Sequence, residues 1–525
     1  MFGVNHQRVA IRLNNLGSAL DALGEHPKAI GCFELALAID RAVSGDNHPN
    51  VAVDLSNLGS AWDALGEHQK AIDYFEQALA IDRAVSGNNH PWIAIRLNNL
   101  GSAWDDLGEY QKAIGYYEQA LAIDRAVYGD NHPSVARDLN NLGSAWDHLG
   151  EHQKAIGYYE QALAIDRAVY GDNHPSVGIC LGNLGQIWNV LGEPQKAIAY
   201  HEQAITIHRI VYGDNHPYVA TGLHNLGLAW MDLGEHQKAI GYYEQALAID
   251  RVVYGDNHPS VARDLNNLGS AWDHLGEHQK AIGYYEQALA IDRAVYGDDH
   301  PDVAIDLNNL GSAWDALSEH QKAIGYYEHA LAILKVVYGE QHPNVASTLN
   351  NLGSAWNALG EHQKAIGYYE QALAIRKVVY GEQHPNVASA LNNLGSAWNA
   401  LGEHQKAIGY YEQALAIDRS AYGDNHPSVA RELNNLGSAW DDWGEHQKAI
   451  GYYEQALAID RAVYGDNHPN VAILLNNLGS AYFTLGEKQK AKKYFQPAHA
   501  IFKQFLGPEH PNTKTVAKWL ALCEE

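Results

Sequence analysis

Pairs of asparagine residues recur at a fixed spacing along the chain, and their amides are the side chains whose chemistry is simplest to assign. Asn98-Asn99 in one stretch of sequence corresponds to Asn140-Asn141 in the next, nearly identical stretch. Asparagine is a mediocre helix former, so its repeated use just before Leu-Gly calls for a reason. An amide offers two N–H donors and a carbonyl acceptor, which suits the main chain of an extended peptide whatever its sequence. The alternative is that these amides bond each other and the adjacent backbone.

The candidate peptide-binding residues belong to one short segment of each repeat. The asparagines are Asn57, Asn98, Asn99, Asn140, Asn141, Asn183, Asn225, Asn266, Asn267, Asn308, Asn309, Asn350, Asn351, Asn392, Asn393, Asn434 and Asn435. Arg137, Arg263 and Arg431 stand four positions before the second asparagine, where the otherwise copied repeats vary most. This variation either tunes specificity or is drift on a solvated face.

Further polar positions are expected on the same surface. Asp147 and its counterparts follow the repeated tryptophan. The fifth and sixth repeats depart most from the pattern, and we predict a less polar contact zone there. The departures are Gly182, Gln186, Asn189, Val190, His224, Leu228 and Met231.

Metal and catalytic sites are not expected. Most of the 29 histidines recur singly, before a proline or in Glu-His-Gln-Lys, and fit turn and capping roles better than convergent metal ligands. A catalytic site needs different groups converging at one place, whereas every polar group here repeats about twelve times. The three cysteines stand at irregular positions, and no phosphate-binding glycine loop is present. The sequence therefore predicts a non-enzymatic chain without metal or cofactor.

A constant sequence period, marked in each repeat by the pair His-Pro, organises these side chains. Pro133 fits the first position of a helix capped by His132, and an apolar stripe at spacings of three and four follows. Gly150 ends this first helix, and a second helix opens at Glu151. Each repeat is thus predicted to be a helix pair of about 16 and 20 residues.

Two glycines lie inside the predicted helices, where glycine costs roughly 1 kcal/mol relative to alanine. Gly143 recurs in all twelve repeats, which indicates close approach of a neighbouring helix. Gly115, in the second helix, also has counterparts, and close packing on the outer side is one option for it.

The motif L-x2-L-G-x2-W…A-x3-Y…A, as in Leu139, Leu142, Trp146, Ala155 and Tyr159, resembles the tetratricopeptide repeat. The usual closing proline is absent, and the longer second helix makes the repeats similar to those of kinesin light chains and their bacterial relatives. The resemblance implies that the first helices line a concave surface. It also implies that the second asparagine of each pair can hydrogen-bond the backbone of a bound peptide.

The predicted fold is all-α, a right-handed superhelical α-solenoid of stacked antiparallel helix pairs. We expect a single repeat domain over residues 1–525, with twelve pairs at about 6–509 and a capping helix at 510–525. The leading residues Phe2 to His6 match the repeat turn and form no cap. The first pair would then expose apolar surface for head-to-tail self-association, unless a preceding domain or the few leading residues cover it.

Charge and composition limit the partners. Asp plus Glu is 62 against 36 Lys plus Arg, so the net charge is −26, which disfavours nucleic acid and anionic membrane. We find neither a secretory signal nor a transmembrane stretch, and expect a cytoplasmic protein. The favoured function is a scaffold that binds a protein or peptide in the groove of the first helices. The alternative is a structural, self-associating repeat rod without a dedicated peptide ligand.

Overall fold

The computed structural model describes residues 7–524, which form 25 α-helices and two compact units. The units are Met1–Asp256 and Asn257–Glu525. In both, a shorter helix of 16 residues alternates with a longer one of 19, as the repeat predicts. We call them the first and second helices of a repeat.

The first unit contains six helix pairs within the described residues. Its helices are α1 Gln7–Ala22, α2 His26–Ser44, α3 Pro49–Ala64, α4 His68–Ser86, α5 Pro91–Asp106, α6 Tyr110–Tyr128, α7 Pro133–His148, α8 His152–Tyr170, α9 Pro175–Val190, α10 Pro194–Tyr212, α11 Pro217–Asp232 and α12 His236–Tyr254.

The second unit contains six pairs and one further helix, again within the described residues. Its helices are α13 Pro259–His274, α14 His278–Tyr296, α15 Pro301–Ala316, α16 His320–Tyr338, α17 Pro343–Ala358, α18 His362–Tyr380, α19 Pro385–Ala400, α20 His404–Tyr422, α21 Pro427–Asp442, α22 His446–Tyr464, α23 Pro469–Thr484, α24 Lys488–Leu506 and α25 Pro511–Leu522.

Local chemistry sets the helix ends. The ring of His132 accepts a hydrogen bond from the Ser134 backbone N–H at 3.2 Å, and Pro133 needs no donor at the first helical position. Gly150 follows α7 with φ of +81°, a left-handed conformation that glycine adopts without a Cβ penalty. The predicted cap and stop signals of the repeat are therefore confirmed.

Within each unit the helices stack in chain order, and their buried residues form clusters that span neighbouring repeats. In the first unit, Leu139 and Leu142 of α7 and Ala155 and Tyr159 of α8 are buried together. Within a unit, each second helix also packs on the first helix of the next repeat. Successive first helices contact each other, whereas the described second helices show no contact of similar extent between repeats. First helices therefore lie closer together than second helices do.

The glycine inside each first helix is where the two helices of a repeat interlock. A Cβ on Gly143 would lie 2.7 Å from a ring carbon of Tyr159 on α8. The expectation of a close helix approach is thus confirmed, and the approaching group is an aromatic ring. The glycine inside each second helix differs, because a Cβ on Gly115 or Gly157 would meet nothing within 4 Å. Close packing at Gly115 within the chain is therefore wrong.

The last helix, α25, packs on α24. Val516 and Cys523 are buried, and the Trp519 ring lies 5.2 Å from that of Phe483 and 6.2 Å from that of Phe495. Within residues 7–524, every helix is too short or too polar to cross a membrane.

The predicted all-α solenoid of stacked helix pairs is confirmed. That residues 1–525 form a single domain stays a prediction. Residues Phe2 to His6, on which the open-face prediction rests, lie outside the described residues.

Buried His201 on α10 replaces the aromatic ring that interlocks with glycine in other repeats. It is fully buried against Gly185, and both ring nitrogens are without a hydrogen-bond partner. Burial lowers the pKa of His201 from 6.5 to about 4. The neutral imidazole is therefore the form that the fold accepts.

The two glycine classes should respond oppositely to alanine. Gly143→Ala is expected to destabilise the first unit by about 1–3 kcal/mol, because the new methyl group overlaps the Tyr159 ring. Gly157→Ala is expected to stabilise it by roughly 0.5–1 kcal/mol, because a mid-helix glycine is replaced in open space. Thermal unfolding followed by circular dichroism measures both changes. Equal effects of the two substitutions would contradict this assignment.

His201→Phe should stabilise the first unit, most strongly in acid. Phe33 and Phe75 fill the equivalent position in other repeats. The folded His201 pKa lies below the unfolded value, so its stability contribution is present above pH 6.5 and is lost as the pH falls towards 4. Thermal unfolding of both proteins at pH 7.5 and 4.5 should show a larger difference at pH 4.5, approaching roughly 3 kcal/mol. A difference independent of pH would contradict a neutral buried imidazole.

Candidate functional site

In most repeats the second asparagine of the pair donates a hydrogen bond to the side chain one repeat earlier. Nδ2 of Asn141 in α7 lies 3.1 Å from Oδ1 of Asn98 in α5. Ser56 stands in the place of the acceptor asparagine in α3, and Nδ2 of Asn99 donates to its Oγ at 3.3 Å. Equivalent bonds of 2.7–3.4 Å run from Asn57 to Asn14, Asn183 to Asn140, Asn309 to Asn266, Asn351 to Asn308, Asn393 to Asn350, Asn435 to Asn392 and Asn477 to Asn434. We call these linked amides the asparagine ladder.

The ladder leaves part of each amide's hydrogen-bonding capacity for a ligand. Asn141 uses one of its two N–H donors in the bond to Asn98, and it is half-buried. Asn98 is more deeply anchored, since its Nδ2 donates to the Ala94 carbonyl at 3.0 Å and to Oδ1 of Asp138 at 2.8 Å. These bonds agree with the alternative in which the amides bond each other and the adjacent backbone and have a structural role. They are also compatible with a ligand on the remaining N–H and carbonyl oxygen.

The ladder is interrupted in the fifth and sixth repeats. Gly182 offers no side chain to Asn225, and Asn189 donates instead to the Asn225 backbone carbonyl at 3.4 Å. His224 is buried with its ring 5.7 Å from that of Tyr243, so it belongs to the core. Asn267, on α13, is half-buried like the other second asparagines.

The three candidate arginines are turned towards buried carboxylates. A terminal guanidinium nitrogen of Arg137 lies 3.0 Å from Asp138 on its own helix and 3.2 Å from Asp124 on α6. Arg431 lies 2.9 Å from Glu432, and Arg263 lies 3.5 Å from Asp264.

The guanidinium groups remain partly open to solvent while their acids do not. The side chains of Arg137 and Arg431 are 44% and 50% exposed, whereas those of Asp138 and Glu432 are fully buried. Burial raises the pKa of Asp138 and of Glu432 to about 7, although the neighbouring arginine opposes the rise.

Paired acids between repeats are a feature that sequence reasoning missed. Asp124 near the end of α6 faces Asp138 on α7, and Asp292 on α14 faces Asp306 on α15. One signal could have found them: an acidic residue beside Leu139 lies within the apolar stripe of α7. A charge on a buried stripe is costly unless it is paired, so such residues mark sites of special chemistry.

The acids that follow the repeated tryptophan hold the turn between the two helices of a repeat. Oδ1 of Asp147 lies 2.7 Å from Nδ1 of His152, the first residue of α8. Nζ of Lys154 lies 4.1 Å from the centre of the Trp146 ring. The contact with His152 gives Asp147 a structural role in the turn between α7 and α8.

One cluster of possible metal ligands is found among residues 7–524. Single ligand atoms of Asp63, His68 and Asp106 lie within 4.8 Å of one another. Asp63 and His68 form the same contact, at 2.8 Å, that Asp147 and His152 form elsewhere as a turn lock. The cluster is therefore explained by the turn and is not assigned as a metal site.

Comparison with known proteins agrees with the repeat geometry. A tetratricopeptide repeat model matches residues 8–84, 63–125, 97–168, 147–188, 218–294, 273–335, 316–377, 344–420, 387–462 and 444–504, and a second such model matches residues 177–218. No curated protein gives a match to the chain.

Solved structures of similar repeats are known. BtubC (BKLC) from P. vanneervenii is 27% identical over 44% of this chain and 92% of its own, with a TM-score of 0.40. A kinesin-light-chain-like protein from Podosopora anserina, with nearly identical TPR-like repeats, is 28% identical over 39% of this chain and 98% of its own, with a TM-score of 0.36.

The family assignment rests on the repeat models, which match well over half of the sequence. They agree with the helix pairs and with the glycine–aromatic contact of each repeat. The chain therefore belongs to the tetratricopeptide repeat family.

Proposed function

We propose that the chain is a non-enzymatic scaffold that holds an extended protein or peptide segment against the asparagine ladder of its first helices. Tetratricopeptide repeats generally mediate protein–protein interaction or scaffolding, and proteins built from them are generally non-enzymatic. The ligand-binding surface and the ligand are our own inference. The single observation that carries the inference is the ladder itself.

The ladder suits a main chain because its amides recur at a regular spacing. Neighbouring packed helices lie roughly 8–10 Å apart, and an extended peptide rises about 3.3 Å per residue. One amide per repeat would therefore meet about every third residue of a bound segment. Because successive first helices contact each other, the amides of the second unit recur in every repeat from Asn266 to Asn477.

The hydrogen bonds of the asparagine ladder also fix the orientation of the amides before a ligand binds. Each bond, such as Asn393 to Asn350 at 2.7 Å, fixes the orientation of a side chain that would otherwise rotate. An amide already fixed in one rotamer loses less conformational entropy on binding. The interrepeat bonds thus support binding as well as stacking.

Charge supports a protein partner over nucleic acid or an anionic membrane. With a net charge of −26 the chain repels polyanions at moderate ionic strength. A neutral or basic segment is favoured, and the amides add no charge of their own.

A self-associating rod is the second candidate function. Leu16 of α1 is 51% exposed, whereas its counterpart Leu58 of α3 is fully buried. We propose that a second copy of the chain covers this part of α1. Light scattering over a hundredfold concentration range should show growing assemblies that Leu16→Glu abolishes, and a strict monomer throughout would exclude the rod.

Replacement of second asparagines should remove partner capture. The combined variant Asn309→Ala, Asn351→Ala and Asn393→Ala removes three ladder amides from the second unit. At about 0.5–1.5 kcal/mol for each hydrogen bond, affinity should fall at least about tenfold. The measurement is quantitative capture of proteins from a lysate of the source cells, with helicity checked by circular dichroism.

A matched control keeps the second amides and alters their acceptors. Asn308→Ser and Asn350→Ser reproduce the serine acceptor found at Ser56. This variant should still capture the partner. Unchanged capture by the alanine variant, with native helicity, would exclude the ladder as the binding surface.

A further inference from the structure

A pocket of about 380 Å³ opens in the second unit where α13, the C-terminal part of α14 and the first turns of α15 meet. Asp292, Asp302 and Asp306 lie on its walls, together with Asn266 of the ladder. The pocket therefore joins three carboxylates to the proposed binding surface.

Two of these acids are buried and face each other. Asp306 is 1% exposed and Asp292 is 7% exposed, and Oδ2 of Asp306 has no hydrogen-bond donor. Burial, and then the charge of Asp292, raise the pKa of Asp306 to about 9, and burial raises the pKa of Asp292 to about 6. The pocket thus contains two buried carboxyl groups in contact, and Oδ2 of Asp306 lacks a donor, as Oδ2 of Asp138 does in the first unit.

The same pair of acids binds a guanidinium in the first unit. Asp124 and Asp138 hold the equivalent positions, and Arg137 bridges them at 3.2 and 3.0 Å. In the repeat that carries Asp306, the residue at the position of Arg137 is Ile305, which cannot supply a cation. In the first unit this pair of acids binds a guanidinium of the chain itself. At Asp292 and Asp306 the corresponding side chain carries no guanidinium.

Neighbouring charges do not replace the missing guanidinium. Arg263 lies on the pocket wall, but its guanidinium is 3.5 Å from Asp264 on its own helix. His300 lies 3.6 Å from Asp302 and moderates the pKa of Asp292. Three carboxylates consequently line the cavity with one arginine that is already engaged, and His300 lies beside Asp302.

We propose that this pocket binds the guanidinium of an arginine side chain on the protein segment that the asparagine ladder holds. The proposal rests on the proposed function, because the arginine belongs to that segment. A planar guanidinium can donate to two carboxylates on different helices at once, as Arg137 does, whereas an ammonium group is a point charge. Asp302, at the mouth and half exposed, adds attraction for the incoming cation.

A second pocket in the same unit provides a natural comparison. It measures about 400 Å³ and is lined by Arg431 and Asn434 in the places of Arg263 and Asn266. Its remaining wall carries Asp460, Asn470, Ile473 and Leu474. Asn470 and Leu474 stand where the first pocket has Asp302 and Asp306, so only one carboxylate remains. Equal size with different charge allows the acids to be tested without a change of shape.

The test is calorimetric titration of the full chain with a short glycine-serine peptide that carries one central arginine. Its twin carries citrulline, which has the same shape without the charge. The arginine peptide should bind at least about tenfold more tightly, because charged hydrogen bonds are worth about 1.5–3 kcal/mol each. Its advantage should increase from pH 6 to pH 8, because Asp292 and Asp306 must be ionised to bind a cation.

Two variants locate the effect at this pocket. Asp306→Leu introduces the residue found at Leu474 and should reduce the arginine peptide to the affinity of its twin, with native helicity. Ile305→Arg should also block the peptide, because the new guanidinium occupies the acids itself. The matched control, Ile473→Arg beside Leu474, should leave binding unchanged. Equal affinity of the two peptides, or full discrimination by Asp306→Leu, would overturn the proposal.

Failure here is distinguishable from failure of the proposed function. If the chain captures its partner through the ladder but binds the arginine and citrulline peptides with equal affinity, the scaffold function stands and the arginine site is excluded. If the chain binds the arginine peptide more tightly but the asparagine-to-alanine variant still captures the partner, the arginine site stands. The ladder is then excluded as the binding surface.

Discussion

The contact between a first-helix glycine and a second-helix aromatic ring is the constraint on which each repeat depends. At Gly143 and Gly437 an added Cβ would lie 2.7 and 2.5 Å from a ring carbon of Tyr159 and Tyr453. Such distances leave no room for a side chain, so the ring sets how closely the two helices approach. Asn141 stands two residues before Gly143, and its position is fixed by the same contact. The regular spacing of the ladder is therefore a consequence of core packing.

The features predictable from sequence are those that depend on local chemistry or on repetition. The His132 cap, the Gly150 stop and the glycine–ring approach follow from residue types within one repeat, and all three are confirmed. The glycine inside the second helix shows the limit. Sequence marks Gly115 as unusual, but only the structure shows that a Cβ there would meet no described residue within 4 Å. Whether the asparagines bond each other also depended on the distance between the first helices of successive repeats.

The sequence could mark one member of each acid pair, as an acidic residue in an apolar stripe, but it could not predict the pairing. Asp292 and Asp306 lie on different helices, in different repeats, and neither belongs to a recognisable motif. Their importance arises from burial, which converts an ordinary surface charge into a group whose pKa is strongly raised. Burial at one edge of a helix stripe depends on how the next repeat packs. The arginines were identified as variable positions, but their pairing with acids required the structure.

Near-identical repeats make single substitutions unusually informative about binding. The same two acids occur with an arginine at Arg137 and with an isoleucine at Ile305, on a scaffold that hardly changes between them. Where the arginine is absent, Ile305 supplies no cation to Asp292 and Asp306, and burial raises the pKa of both acids. A ligand that supplies the cation stabilises the folded chain by the free energy of its binding. Stability and recognition are coupled at this pocket, because the group the fold lacks is the group a partner can provide.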